Sequence, residues 1–122
     1  DVYKRQTLNR AVKSIGADNI KIIFDLYNYL DKSNVDKMYD ILAEGLQTFG
    51  GRICVFHIKD CRIAEDGSLK QCGVGKGIFD YSKILSEIIK VCPDANLVFE
   101  GTMGEDIPYA VSYIKETIKN IS

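Results

Sequence analysis

Apolar residues along the chain fall into two kinds of run that alternate. Three short runs are nearly continuous: residues 19–25 (NIKIIFD), 52–59 (RICVFHIK) and 96–100 (NLVFE). Short runs rich in Ile, Val, Leu and Phe suit strands covered on both faces, as in parallel sheets. Between and after them the spacing changes to three and four. Residues 35–49 carry Val35, Met38, Leu42, Leu46 and Phe49 on one helical face. Residues 81–91 repeat the pattern with Tyr81, Ile84, Leu85, Ile88 and Ile89, and residues 107–118 with Ile107, Ala110, Val111, Ile114 and Ile118.

Local signals bound these helices. Ser33 followed by Asp36 has the spacing of a capping box, and Gly50–Gly51 supply a stop for the first helix. Asp80 is placed as the N-cap of the second, and Pro93 bars its continuation. Pro108 falls in the first turn of the third, where proline is tolerated. A stretch of earlier helix is expected over residues 8–15, ending at Gly16.

The predicted order is thus α-β-α-β-α-β-α, which argues for an α/β fold with parallel strands. An open doubly wound sheet and part of a closed barrel both fit this order. The chain opens in mid-pattern without Met, and residues 1–6 resemble a translated adapter remnant. Those residues are expected to be non-native, with the natural protein continuing upstream. Three strands are few for an independent open sheet. Residues 1–122 are therefore expected to be a single partial domain, the C-terminal part (about three β/α units) of a (β/α)8 TIM barrel.

Composition narrows the function. The 122 residues carry a net charge of −1, with 46% hydrophobic and 27% charged residues, an ordinary globular balance. No basic footprint for nucleic acid is present, nor a basic run for a membrane surface, a membrane-spanning stretch or a signal segment. The four cysteines, Cys54, Cys61, Cys72 and Cys92, form no C-x-x-C pair, which argues against a structural zinc site. A reduced, cytoplasmic protein is the simpler reading. Oligomeric state is not readable, so a homo-oligomer stays open.

The candidate chemistry lies at the strand ends. The first strand ends on Asp25, the second carries His57 just before Lys59 and Asp60, and the third ends on Glu100. Each residue by itself has an ordinary structural explanation: Asp25 capping a loop, His57 in a core, Glu100 in a loop. In a parallel sheet or barrel, however, all C-terminal strand ends share one rim, where barrel active sites are found. Two carboxylates and an imidazole would make a donor set for one divalent ion, Mn, Mg, Co or Zn. Lys59 and Arg62 on that rim are candidates for binding a sugar hydroxyl or phosphate, and Asn28 could reach the same place. The glycine-rich segment Gly73-Val74-Gly75-Lys76-Gly77 lacks the full phosphate-loop pattern and is read as a tight turn.

Several segments resemble a known family in the correct order. Phe24-Asp25-Leu26-Tyr27-Asn28 resembles the D-x-x-N/H strand end of the xylose isomerase-like sugar phosphate isomerase/epimerase family, and Phe56-His57-Ile58-Lys59-Asp60 its H-x-K-D strand. Residues 73–80 resemble its G-x-G-x-G-x-x-D loop, and Phe99-Glu100-Gly101 its final-strand glutamate. The resemblance covers nearly all of residues 17–121.

It implies a (β/α)8 barrel with Asp25, His57 and Glu100 as metal ligands and an upstream glutamate completing the set. Glu100 is implied as a catalytic acid or base, and Asn28 and Arg62 as substrate-binding residues, to which the rim position adds Lys59. The substrate class implied is a small sugar or sugar phosphate. The position of Asn28 is often histidine in the epimerases, which weakens a keto-sugar epimerase assignment. An inosose dehydratase-like lyase shares these motifs. A multi-zinc DNA-repair endonuclease of the same superfamily needs several histidines, and this chain has one. Two readings from other classes remain: a catalytically incomplete barrel fragment, and an open-sheet binding domain akin to response regulators or flavodoxins. The latter would require an acidic cluster or phosphate loop after the first strand, and neither is visible.

Overall fold

The computed structural model describes residues 20–122. The readings made for residues 1–6, for the helix over 8–15 and for the first residue of the 19–25 strand lie outside the described residues. In chain order the elements are β1 (Ile22–Phe24), α1 (Met38–Phe49), β2 (Ile53–Ile58), β3 (Asp60–Ile63), β4 (Leu69–Cys72), α2 (Tyr81–Val91), β5 (Asn96–Phe99) and α3 (Asp106–Ile121).

The fold is mixed α/β. Strands β1, β2 and β5 form a parallel sheet in the order β1-β2-β5. Phe24 lies opposite Phe56, and His57 opposite Val98. Because all three strands run the same way, Asp25, Lys59 and Glu100 leave the sheet at the same edge.

Side chains alternate across a strand, and the two faces of this sheet differ. Ile22, Phe24, Phe56 and Ile58 point to one face and are buried against Leu42, Leu46, Phe49, Leu85 and Ile88 of the helices. Phe24 anchors this layer, with ring centroids 5.5 Å from Phe56 and 6.3 Å from Phe49. The opposite face carries Ile23, Val55, His57 and Val98. There Ile23 is 60% and Val98 44% exposed. Coverage of both faces was expected from the apolar runs; the described residues cover only one.

The helices begin and end where local chemistry dictates, with one exception. Asp80 accepts from the backbone N–H groups of Ser82 and Lys83 and so caps α2 as expected. Gly50, at φ 50°, closes α1. The capping box expected at Ser33 and Asp36 does not form. Both the N–H and the hydroxyl of Ser33 donate to the Asp31 carboxylate instead, a local side-chain bond that competes with helix initiation. The chain passes through one 3-10 turn, Val35–Lys37, and α1 starts only at Met38. Helix α3 runs from Asp106 to Ile121, slightly longer at both ends than its apolar stripe predicts.

One unit was not expected. β3 and β4 form an antiparallel hairpin immediately after the His57 strand, pairing Asp60 with Cys72 and Cys61 with Gln71. Gly67, at φ 85°, makes its turn. No helix among the described residues is long and apolar enough to cross a membrane.

Candidate metal centre

The rim at the strand ends gathers two carboxylates and one ammonium around a single imidazole. Asp25 follows β1 and is buried at 7% exposure. Its Oδ1 accepts from the N–H of Asn28, which fixes the carboxylate at the start of the 3-10 turn Leu26–Tyr29. His57 and Lys59 stand two residues apart and so share a face. Glu100 follows β5 and is half exposed. One donor atom from each of Asp25, His57 and Glu100 falls within 4.8 Å of the others.

Lys59 closes the group into a ring. Its Nζ lies 2.7 Å from Asp25 Oδ2 and 3.0 Å from Glu100 Oε1. His57 Nδ1 lies 2.8 Å from Glu100 Oε2 and 3.4 Å from Asp25 Oδ2. Asn28 Oδ1 accepts from Lys59 Nζ at 3.4 Å, and the Tyr27 ring stands 5.5 Å from the same ammonium. The Asp25–Lys59 approach is an ion pair by distance but lacks the angle of a hydrogen bond. Asp25 Oδ2 is thus a buried lone-pair donor with no hydrogen bond among the described residues.

The charges follow from these contacts. Burial acts most strongly on Lys59, favouring its neutral form. The close approach and charges of Asp25 and Glu100 together outweigh it and hold the ammonium above its usual 10.5. The hydrogen bond from Lys59 holds the Glu100 carboxyl below its usual 4.5, assisted by the charges of Lys59 and His57. Glu100 is therefore an ionised, water-accessible carboxylate at neutral pH.

Two side chains hold this ring from behind. The Tyr81 hydroxyl accepts from the Lys59 N–H at 3.0 Å and donates to the Lys59 carbonyl at 2.5 Å. Burial pushes that phenol well above its usual pKa, so it stays a donor. Asp60 is fully buried. Its Oδ1 accepts from the N–H groups of Cys61 and Phe79, and its Oδ2 from those of Gly75 and Gly77. The glycine-rich segment is thus bound through its backbone to the residue that follows Lys59. Gly77 has no room for a side chain, because a Cβ there would overlap the Cys61 carbonyl and the Asp60 carboxylate. On the Glu100 side, Gln71 of the hairpin donates to the Glu100 carbonyl at 3.3 Å.

The sequence-derived candidates are distributed as follows. Asp25, His57, Glu100, Lys59 and Asn28 meet in one cluster. Arg62 stands apart on the hairpin, exposed, with its Nε donating to the Lys76 carbonyl. Lys76 pairs with Asp106 at 2.7 Å. The direct pairing of Lys59 with both carboxylates was not foreseen, although its parity with His57 was the available signal. Nothing in the sequence marked the Tyr81 hydroxyl, which reads there as one more apolar helix position.

Two carboxylates and one imidazole, with a buried lone pair left without a hydrogen bond, are donors of the kind that hold a divalent cation. The residues present therefore fit such a group.

No protein-family model matches the sequence, and no curated protein does either. Among solved structures, the chain is similar to a xylose isomerase domain protein from Planctomyces limnophilus, with a TM-score of 0.74 at 18% sequence identity. The match covers 96% of this chain and 42% of that one. The likeness shows a xylose isomerase-like fold, and the chain spans less than half the length of that neighbour.

Proposed function

We propose that this chain is the C-terminal part of a (β/α)8 barrel, a metal-dependent sugar or sugar phosphate isomerase/epimerase. The observation that carries the reading is the convergence of Asp25, His57 and Glu100 at the C-terminal ends of three parallel strands. Barrel enzymes place their chemistry at that rim. The exposed apolar side chains on the inner sheet face, Ile23 and Val98, are what a barrel interior presents when only part of its wall is in view. The fold likeness supports the same architecture.

In this reading Asp25, His57 and Glu100 hold one divalent ion, Mn, Mg, Co or Zn, with a further ligand from the rest of the barrel. The ion would supply Lewis acidity at the substrate carbonyl. The residues do the rest. Glu100, ionised and accessible, takes or returns the proton at the carbon beside the carbonyl, so that the sugar passes through an enediolate. Lys59 and Asn28 face the same space and offer an ammonium and an amide to substrate oxygens. Tyr81 and Asp60 hold Lys59 and the glycine-rich segment in place, which is the kind of preorganisation a proton transfer needs. Arg62, on the hairpin, is the candidate for a more distant hydroxyl or phosphate. The expected ligand is a small sugar or sugar phosphate.

The test uses the longer protein of which this chain is proposed to be the end. Metal-dependent interconversion of keto-sugars, lowered about 10²–10⁴-fold in Glu100→Gln, is the expected result. A dehydrated product would move the assignment to an inosose dehydratase-like lyase. Absence of any metal-dependent turnover across a keto-sugar panel would sink the enzymatic reading.

A further inference from the structure

We infer that Lys59 is a built-in cation that competes for the carboxylates of the metal centre and lowers their affinity for a divalent ion. The inference rests on the metal reading above and concerns how strongly that site binds.

The ring of contacts carries it. Each carboxylate is divided between two partners. Asp25 Oδ2 faces Lys59 Nζ at 2.7 Å and His57 Nδ1 at 3.4 Å. Glu100 gives Oε1 to Lys59 at 3.0 Å and Oε2 to His57 at 2.8 Å. An ion held by the set must share both carboxylates with an ammonium that is already within contact distance of them. The formal charge of Asp25, Glu100 and Lys59 together is −1, against −2 for the carboxylates alone.

A lysine on a loose tether would swing aside, but this one is held. Its side chain is 8% exposed. Its own N–H and carbonyl are both bound to the Tyr81 hydroxyl. The next residue, Asp60, is fixed by four backbone N–H groups. Asn28 Oδ1 also accepts from the ammonium. The positive charge is therefore part of the site's frame. It relieves the repulsion between two neighbouring carboxylates and lowers their pull on a divalent ion by the same interaction.

The experiment measures Mn2+ binding to the longer protein of which this chain is proposed to be the end, by titration of the free-ion electron paramagnetic resonance signal. The parent is compared with Lys59→Gln, which keeps length and polarity without charge, and with Lys59→Arg, which keeps the charge. Full water screening sets the lower bound on the loss of one unit charge beside a divalent ion, and the expected tightening in Lys59→Gln is about tenfold or more. Lys59→Arg should stay within about threefold of the parent, because the charge remains. Without metal, Lys59→Gln should melt below the parent, and Mn2+ should raise its melting temperature by more than the parent's.

Equal or weaker Mn2+ binding in Lys59→Gln overturns the inference while leaving the metal site standing. No binding by any of the three full-length proteins removes the metal reading itself. If Lys59→Gln is unfolded without metal, its refolding is titrated with Mn2+. Refolding at concentrations below the parent's Kd supports the inference, and failure to refold with an ion that the parent binds refutes it.

Discussion

The most exacting stability prediction concerns Asp60. It is a fully buried carboxylate whose two oxygens accept from four backbone N–H groups, at 2.8 Å from Cys61, 3.0 Å from Gly75, 3.1 Å from Gly77 and 3.0 Å from Phe79. Asp60→Asn keeps the shape and replaces one oxygen with an NH2 group. Whichever way the amide turns, two N–H donors then face a donor and lose their acceptor. An orphaned buried donor costs about 1–3 kcal/mol. Gly75 and Gly77 are only partly buried, so the amide would turn its NH2 toward them, and the lower half of that range applies to each. The expected loss is roughly 2–4 kcal/mol, a large share of the 5–15 kcal/mol typical of a domain. Urea unfolding followed by far-UV circular dichroism measures it as a lowered midpoint with unchanged slope. A loss below about 0.5 kcal/mol, the range of an ordinary surface substitution, would refute the four-donor account of Asp60.

Gly77→Ala should lower stability by about 1–3 kcal/mol in the same assay, as overpacking does, because its Cβ would meet the Cys61 carbonyl and the Asp60 carboxylate. The Lys59–Glu100 pair has a definite pH window. Glu100 titrates below its usual 4.5 in the folded chain, so the pair's contribution is present above that value and is lost as pH falls through the lower folded one. Glu100→Gln should therefore show a shallower loss of melting temperature on acidification, and a slope identical to the parent's would contradict the pairing. Thiol labelling should also discriminate. Cys54 and Cys72 are half-buried, whereas Cys61 and Cys92 are buried and burial pushes the Cys61 thiol up to about 11. Under native conditions near neutral pH iodoacetamide should modify Cys54 and Cys72 first, and equal labelling of Cys61 on peptide mapping would count against its burial.

What could be read from the sequence divides by physical cause. The strands at residues 53–58 and 96–99 and helix α2 appeared close to where they were expected, since dense apolar runs and a stripe capped by Asp80 allow few alternatives. The convergence of Asp25, His57 and Glu100 followed from strand direction alone, because parallel strands put their ends on one edge. The β3–β4 hairpin was missed because residues 60–72 are mostly polar and Gly-containing, and its register depends on pairing that no apolar alternation announces. The Asp66–Gly67 step was the one hairpin signal in that stretch. The start of α1 was misplaced because Asp31 draws Ser33 away from the capping role. The ion pairs of Lys59 were missed although its parity with His57 put it on the same face, since a long side chain at a strand end can face solvent, substrate or a carboxylate equally well in sequence terms.

The claim at the centre of this account is that Asp25, His57 and Glu100 bind one divalent ion, and crystals of the longer protein, equilibrated with Mn2+, test it most directly. An anomalous difference map should show a single strong peak about 2.0–2.3 Å from a carboxylate oxygen of Asp25, a ring nitrogen of His57 and a carboxylate oxygen of Glu100. That peak should vanish in His57→Ala crystals treated in the same way. A map with no peak between these residues, or with manganese bound only elsewhere on the surface, would contradict the account.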